Sequence, residues 1–248
     1  AGYYTENNEL VINANKQVVA DPTLFEQNST IYAHWTADSD IQYKVYHYTK
    51  NLGANTYSLN GTVDTLYGVA DSTVTLESLA RTIDGFTYDS GFETTTTNGT
   101  HGTTKPASGA VTTTTILPDG TRIIDLYYNR DTHTVTLTRG TGVASVTGAG
   151  TYEYGASVSI NATMSNGYDW YRWTNTNTGA AVTTTKAYTF TMGTANVAYT
   201  ANANVHDYTI TYDLNPGTGS TTPAHGTNHP ETYKVTDATF TISNPTIR

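Results

Sequence analysis

Short stretches of alternating apolar and polar residues recur along the chain, each bounded by Gly, Pro, Asn or Asp, which is the signature of half-buried β-strands separated by turns. Residues 30–35 place Ile31, Ala33 and Trp35 on one face. In 41–48, Tyr43, Val45 and His47 oppose Lys44, Tyr46 and Tyr48. Residues 121–128 carry Arg122, Ile123, Ile124, Leu126 and Tyr127, and follow Leu117-Pro118-Asp119-Gly120, a turn that feeds a strand. Further strands are predicted at 134–138, 157–162, 187–192 and 208–214, the last closed by Asn215-Pro216-Gly217. Helical signals are few. Asp71-Ser72 can cap a short helix over 73–82, with Gly85 as its stop, and a second short turn is predicted at 230–234. Residues 94–104 and 112–115 are Thr/Gly-rich and read as a solvated surface loop.

Composition strengthens the β reading. Threonine makes up about a fifth of the 248 residues and tyrosine contributes 20, whereas good helix formers are scarce. With 37% apolar and only 13% charged residues, the chain has the means to pack and lacks the charge density of a disordered segment. The expected class is all-β to β-rich α+β. The net charge of −9 argues against nucleic-acid binding, which rests on Lys and Arg displacing counterions. With no cysteine there is no disulfide, thiolate metal site or iron–sulfur cluster. No apolar run approaches the ~18–20 residues of a membrane span. Ala1 starts inside what reads as a folded segment, so the chain reads as a mature fragment or a piece of something longer.

Internal similarity is the most informative signal. Three strand openings resemble one another: Gln42-Tyr43-Lys44-Val45, Thr132-His133-Thr134-Val135-Thr136 and Asp207-Tyr208-Thr209-Ile210-Thr211. Each follows a closing strand (Tyr32-Ala33-His34-Trp35, Leu126-Tyr127-Tyr128, Tyr199-Thr200-Ala201-Asn202-Ala203) across a short polar junction. On these residues, with Gly167-Tyr168-Asp169-Trp170-Tyr171-Arg172-Trp173 as a Gly-Tyr-x-aromatic-x-x-Trp motif, the chain resembles tandem modules of bacterial surface proteins: the internalin B-repeat (Listeria–Bacteroides repeat) group and its mucin-binding-protein-like relatives. Residues 1–39 resemble the C-terminal half of a B-repeat, with Tyr3 where the family usually has Trp. Residues 40–131 are similar to a mucin-binding-like module, 132–204 to a divergent B-repeat, and 205–248 to the N-terminal half of a B-repeat. The resemblance implies small β-grasp-like modules in an elongated array, on a secreted stalk at the bacterial cell surface.

A half-module cannot bury its own strands, and an open sheet edge invites pairing. The two halves are therefore expected to complete each other head to tail, either within one long repetitive chain or between subunits of a filament. The residues expected at that junction are Gly2, Tyr3, Ile31, Tyr32 and Trp35 on one side and Tyr208, Ile210, Tyr212, Phe240 and Ile242 on the other. The expected partners are neighbouring copies of the chain; glycans or a host surface protein are the alternative.

Catalytic chemistry finds no support. No Gly-x-Ser-x-Gly elbow and no Gly-rich phosphate loop is present, and the carboxylate pairs are too local for glycosidase work. No enzyme activity, cofactor or metal is expected. His225 and His229 are four apart, but Gly226 and Pro230 oppose the helix that would align them for zinc. Asp38-Ser39-Asp40 falls short of the roughly 6–8 oxygens of a calcium site. His101 has no evident partner, and His34 and His47 are expected half-exposed on strands. Tyr168, Trp170 and Trp173 read as core, which leaves Tyr171 as the candidate exposed ligand contact. Asn28, Asn60, Asn98 and Asn161 head formal glycosylation sequons, and the six lysines show no placement that suggests an isopeptide bond.

Overall fold

The structure is a computed structural model that describes residues 2–21, 29–99, 101–214 and 223–247. The Asn28 and Asn98 sequons are incomplete within that set, and the Asn215-Pro216-Gly217 turn lies outside it. The chain divides into two units, Ala1–Asn129 and Arg130–Arg248. Among the described residues the only helical element named is a 3-10 turn at Glu77–Leu79, and the fold is all-β.

The first unit opens with β1 (Gly2–Tyr4), β2 (Leu10–Ile12) and β3 (Tyr32–His34), an antiparallel sheet in the order β2-β1-β3. A second sheet follows, built from β4 (Ile41–Lys50), β5 (Tyr57–Leu59), β6 (Asp64–Gly68), β8 (Phe86–Thr95) and β10 (Arg122–Arg130). Its order is β5-β4-β10-β8, and β6 also pairs with β4. Strands β7 (Thr73–Thr75) and β9 (Thr113–Thr115) pair separately. The central pair β4 and β10 is parallel, with Val45 opposite Ile124 and Tyr48 opposite Tyr127. The alternation read from the sequence sorts these residues. Tyr43, Val45, Ile124, Leu126 and Tyr128 pack with Leu76 and Ile116 on one face. Tyr48 and Tyr127 pack with Tyr57 and Phe92 on the other.

That second face is covered by the Thr-rich segment, which is therefore not a simple solvated loop. The Tyr57 N–H donates to the Thr103 carbonyl at 2.9 Å, and the Tyr127 hydroxyl donates to the Gly102 carbonyl at 3.0 Å. Both faces of β10 are buried as a result, from Ile123 to Tyr128. The turn into β10 forms as expected: Gly120 takes φ +71°, and the Asp119 carboxylate accepts from the Thr121 N–H at 3.0 Å and hydroxyl at 2.7 Å.

The predicted helix over 73–82 does not form. Its Thr-Val-Thr opening instead pairs with Thr113–Thr115, because β-branched residues suit a ladder better than a helix, and only the single 3-10 turn remains. The turn expected at 230–234 contains a strand, Thr232–Tyr233.

The second unit contains β11 (Thr132–Arg139), β12 (Val143–Thr147), β13 (Gly150–Glu153), β14 (Ser157–Met164), β15 (Tyr168–Asn175), β16 (Ala181–Thr183), β17 (Tyr188–Thr191) and β18 (Val197–Val205). One sheet runs β13-β11-β18-β15-β16 and the other β12-β14-β17. Val135, Trp173 and Ala201 from the first and Val143, Val158, Ile160 and Ala162 from the second share one core with Met192. Here too the first and last strands, β11 and β18, are parallel neighbours. Strands β19 (Tyr208–Thr209), β20 (Pro223–Ala224), β21 (Thr232–Tyr233) and β22 (Thr246–Ile247) follow, paired β19-β21 and β20-β22. The strand expected over 208–214 thus stops at Thr209.

Trp173 is fully buried, and its indole N–H donates to the Lys186 carbonyl at 2.9 Å. Trp35, which the pattern places on one face with Ile31 and Ala33, is 80% exposed. Trp173→Ala is expected to destabilise the second unit by about 3–5 kcal/mol through the cavity it leaves. Trp35→Ala should change stability by less than about 0.5 kcal/mol. Urea unfolding of the two variants tests the contrast.

Candidate functional site

Two features stand out: a buried polar network in the first unit, and a set of exposed apolar residues at the strands near the two ends of the chain.

The network centres on His47, a fully buried side chain on β4. Its Nδ1 lies 2.8 Å from the Tyr128 hydroxyl and its Nε2 lies 3.1 Å from Asp64 Oδ2. The Tyr128 hydroxyl accepts the Arg81 backbone N–H at 2.9 Å, and the Arg81 guanidinium bridges to the other Asp64 oxygen. These bonds form one consistent chain: Tyr128 donates to Nδ1, and a neutral imidazole donates from Nε2 to the carboxylate. Burial pushes the His47 pKa down, outweighing the pull of Asp64. Burial alone would raise the Asp64 pKa, but its bonds to Arg81 and His47 hold it below the ordinary carboxylate value. The structure overturns the half-exposed expectation for His47. It shares a face with Tyr43 and Val45, and that alternation was the signal for burial.

A second buried carboxylate, Asp125, lies under the Thr-rich segment. Its Oδ2 accepts the His101 N–H at 2.9 Å and sits 2.8 Å from His101 Nδ1, so His101 does have a partner. Asp125 Oδ1 has no hydrogen-bond partner among the described residues, and burial raises the Asp125 pKa. Asp125 pins the Thr-rich segment to the sheet through His101, and Tyr128 and Asp64 pin the segment that carries Arg81. His34 is exposed and stacks on Tyr4 at 4.4 Å. His225 and His229 stack at 4.7 Å, and no group of three or more His, Asp or Glu able to hold a metal occurs among the described residues. No helix among them is long and apolar enough to cross a membrane.

Tyr171 is exposed as expected, and the local backbone explains why. Trp170 pairs with Ala203 and Arg172 with Asn202, so Tyr171 is the extra residue of a β-bulge. The bulge turns both Trp170 and Trp173 toward the core, their rings 5.4 Å apart. The Arg172 guanidinium carbon lies 4.5 Å from the Tyr171 ring centre and occupies one face of that ring.

The segments near the two ends of the chain show strand pairings like those within β11 to β18. The order β3-β1-β2 matches β18-β15-β16, both antiparallel throughout. Tyr3 opposes Ala33 as Trp173 opposes Ala201. At the other end, Tyr208 opposes Tyr233 as His133 opposes Tyr152, and Ala224 opposes Thr246 as Val143 opposes Met164. By this correspondence Ile210 stands for Val135, Phe240 for Val158 and Ile242 for Ile160. Val135, Val158, Ile160 and Trp173 are all buried. Their counterparts are not: Tyr3 is 42%, Phe240 43% and Ile242 47% exposed, and Ile210 is half-buried. Of the remaining junction residues, Gly2, Tyr208 and Tyr212 are half-buried, and Ile31 and Tyr32 are exposed. The first group belongs to the first unit and the second group to the second.

Residues 133–204 match the family model described as "Divergent InlB B-repeat domain". No curated protein matches the chain. The matched segment covers the two-sheet arrangement of β11 to β18, which is thus similar to that domain.

The network makes a stability prediction with a definite sign. His47 is neutral when folded and has a lowered pKa there, so the unfolded chain binds the extra proton. Its contribution is present above the unfolded value of about 6.5 and is lost as pH falls below it. Stability of the first unit should therefore drop between about pH 6.5 and 5, and His47→Gln should flatten that slope. Tyr128→Phe, which leaves His47 Nδ1 and the Arg81 N–H without their partner, should cost about 1–3 kcal/mol. Urea melts at pH 5, 6 and 7.5 check both.

Proposed function

We propose that the chain is a non-catalytic structural and adhesive segment of a repetitive bacterial cell-surface protein or extracellular filament, in which the two half-modules complete each other head to tail. The observation that carries this reading is the contrast between equivalent residues. Positions that are buried at Val158, Ile160 and Trp173 are exposed at Phe240, Ile242 and Tyr3. Burying side chains of this size yields about 1.5–3 kcal/mol each, enough to hold a module together once both halves are present.

The strand topology supports an array. In both complete modules the first and last strands are parallel neighbours, β4 with β10 and β11 with β18. A chain that enters and leaves on parallel adjacent strands arrives at one end of the sheet and departs from the other. Such modules can be strung without the chain doubling back. The mucin-binding-like reading of 40–131 fits this scheme as a second module type within the repeat. The surface is poor in charge and rich in Thr, which suits a solvated stalk.

Two copies joined in tandem, Arg248 to Ala1, test the reading. Completion at the junction should add the unfolding enthalpy of a module of about 70 residues, on the order of 50 kcal/mol beyond twice that of one copy. Differential scanning calorimetry measures it directly. An enthalpy equal to twice the single copy means that the halves do not complete each other.

A further inference from the structure

We propose that the outer edge of β3 receives residues 210–214 of a second copy of this chain as a parallel strand, with Tyr212 opposite Ile31 and Leu214 opposite Ala33. This rests on the head-to-tail reading above and specifies its edge, direction and register.

The complete module supplies the template. There β11 has two partners: β13 along residues 132–135 and β18 along 135–139. In the C-terminal half, β19 pairs with β21 through Tyr208 and Thr209, the counterparts of His133 and Thr134. The regular strand then ends where the counterpart of β18 would begin. Side-chain alternation nevertheless continues past that point. Ile210, Tyr212 and Leu214 are half-buried while Thr211 and Asp213 are exposed. The segment is thus already patterned as a strand and lacks only the neighbouring ladder that would make it one.

The N-terminal half carries that neighbour. Among the described residues β3 pairs with β1 alone, as β18 pairs with β15 on one side. The other side of β18 is the edge taken by β11, so the vacant edge of β3 is its equivalent. The parallel register of Leu137 with Tyr199 and Arg139 with Ala201 then transfers to Tyr212 with Ile31 and Leu214 with Ala33. In this register the sheet of β1 to β3 lays Tyr3, Ile31 and Trp35 over the cleft of about 440 Å³ lined by Ile210, Val235, Phe240 and Ile242. In the complete module Trp173 packs against Val135, Val158 and Ile160, the counterparts of three of those lining residues. The pairing satisfies the open strand edge and buries the apolar face in one step.

The cysteine-free sequence makes the register readable by disulfide trapping. Residues directly opposite on adjacent strands are about 4.8 Å apart, within reach of a disulfide, whereas a two-residue slip separates them by about 8 Å, which is out of reach. In the two-copy chain, one cysteine is placed in the first copy and one in the second. The matched pairs are Tyr212→Cys with Ile31→Cys and Leu214→Cys with Ala33→Cys. The mismatched pairs are Tyr212→Cys with Ala33→Cys and Leu214→Cys with Ile31→Cys. Under mild oxidation at high dilution, each matched pair should give at least tenfold more intramolecular disulfide than either mismatched pair. Equal yields, or a preference for the mismatched pairs, overturn the register. If the unsubstituted two-copy chain shows the extra calorimetric enthalpy while no pair cross-links selectively, the array reading stands and the strand assignment falls. If the extra enthalpy is absent, both fall.

Discussion

The structure depends on one pairing rule: each module is closed by a parallel ladder between its first and its last strand. In the first unit this is β4 against β10, and in the second β11 against β18. Parallel neighbours cannot be joined by a tight turn, so the rest of each module is the crossover between them. A helix is the usual crossover, but here hairpins and short strands do the work, and the opposing layer of the second unit is itself a sheet. Closure by strands far apart in sequence also means that a module cut in the middle leaves both of its halves open.

The buried polar groups follow from the same constraint. The faces of β4 and β10 lie between layers, so any polar residue that falls on them must find a partner inside. His47 finds Tyr128 and Asp64, and Asp125 finds His101. The His47–Tyr128 bond links the two strands of the ladder across 81 residues, while Asp64, Arg81 and His101 tie β6 and two loops to it. They resemble the components of an active site in type but not in arrangement. They lock the crossover in place.

Much of this was legible in the alternation of residues. The faces of β4 and β10 and the turn at Asp119-Gly120 followed from period-two patterning and turn chemistry. The failures were of one kind. The Thr-Val-Thr segment at 73–75 read as part of a helix, because a short apolar spacing is ambiguous until its partner strand 40 residues later is known. His101 looked unpartnered because Asp125 is distant in sequence. Trp35 shares a predicted strand face with Ile31 and Ala33, yet it is exposed.

By itself the sequence determined the β class, most strand faces and the absence of cysteine chemistry, since these depend on local periodicity and composition. Only the tertiary structure decided which strands are neighbours, that the Thr-rich segment is pinned over a core face, that a bulge at Tyr171 turns two tryptophans the same way, and that Val158, Ile160 and Trp173 are buried while Tyr3, Phe240 and Ile242 are exposed. The physical reason is that strand pairing is non-local. A strand specifies its own two faces, but its edges are satisfied only by whichever segment the rest of the chain, or another copy, brings alongside.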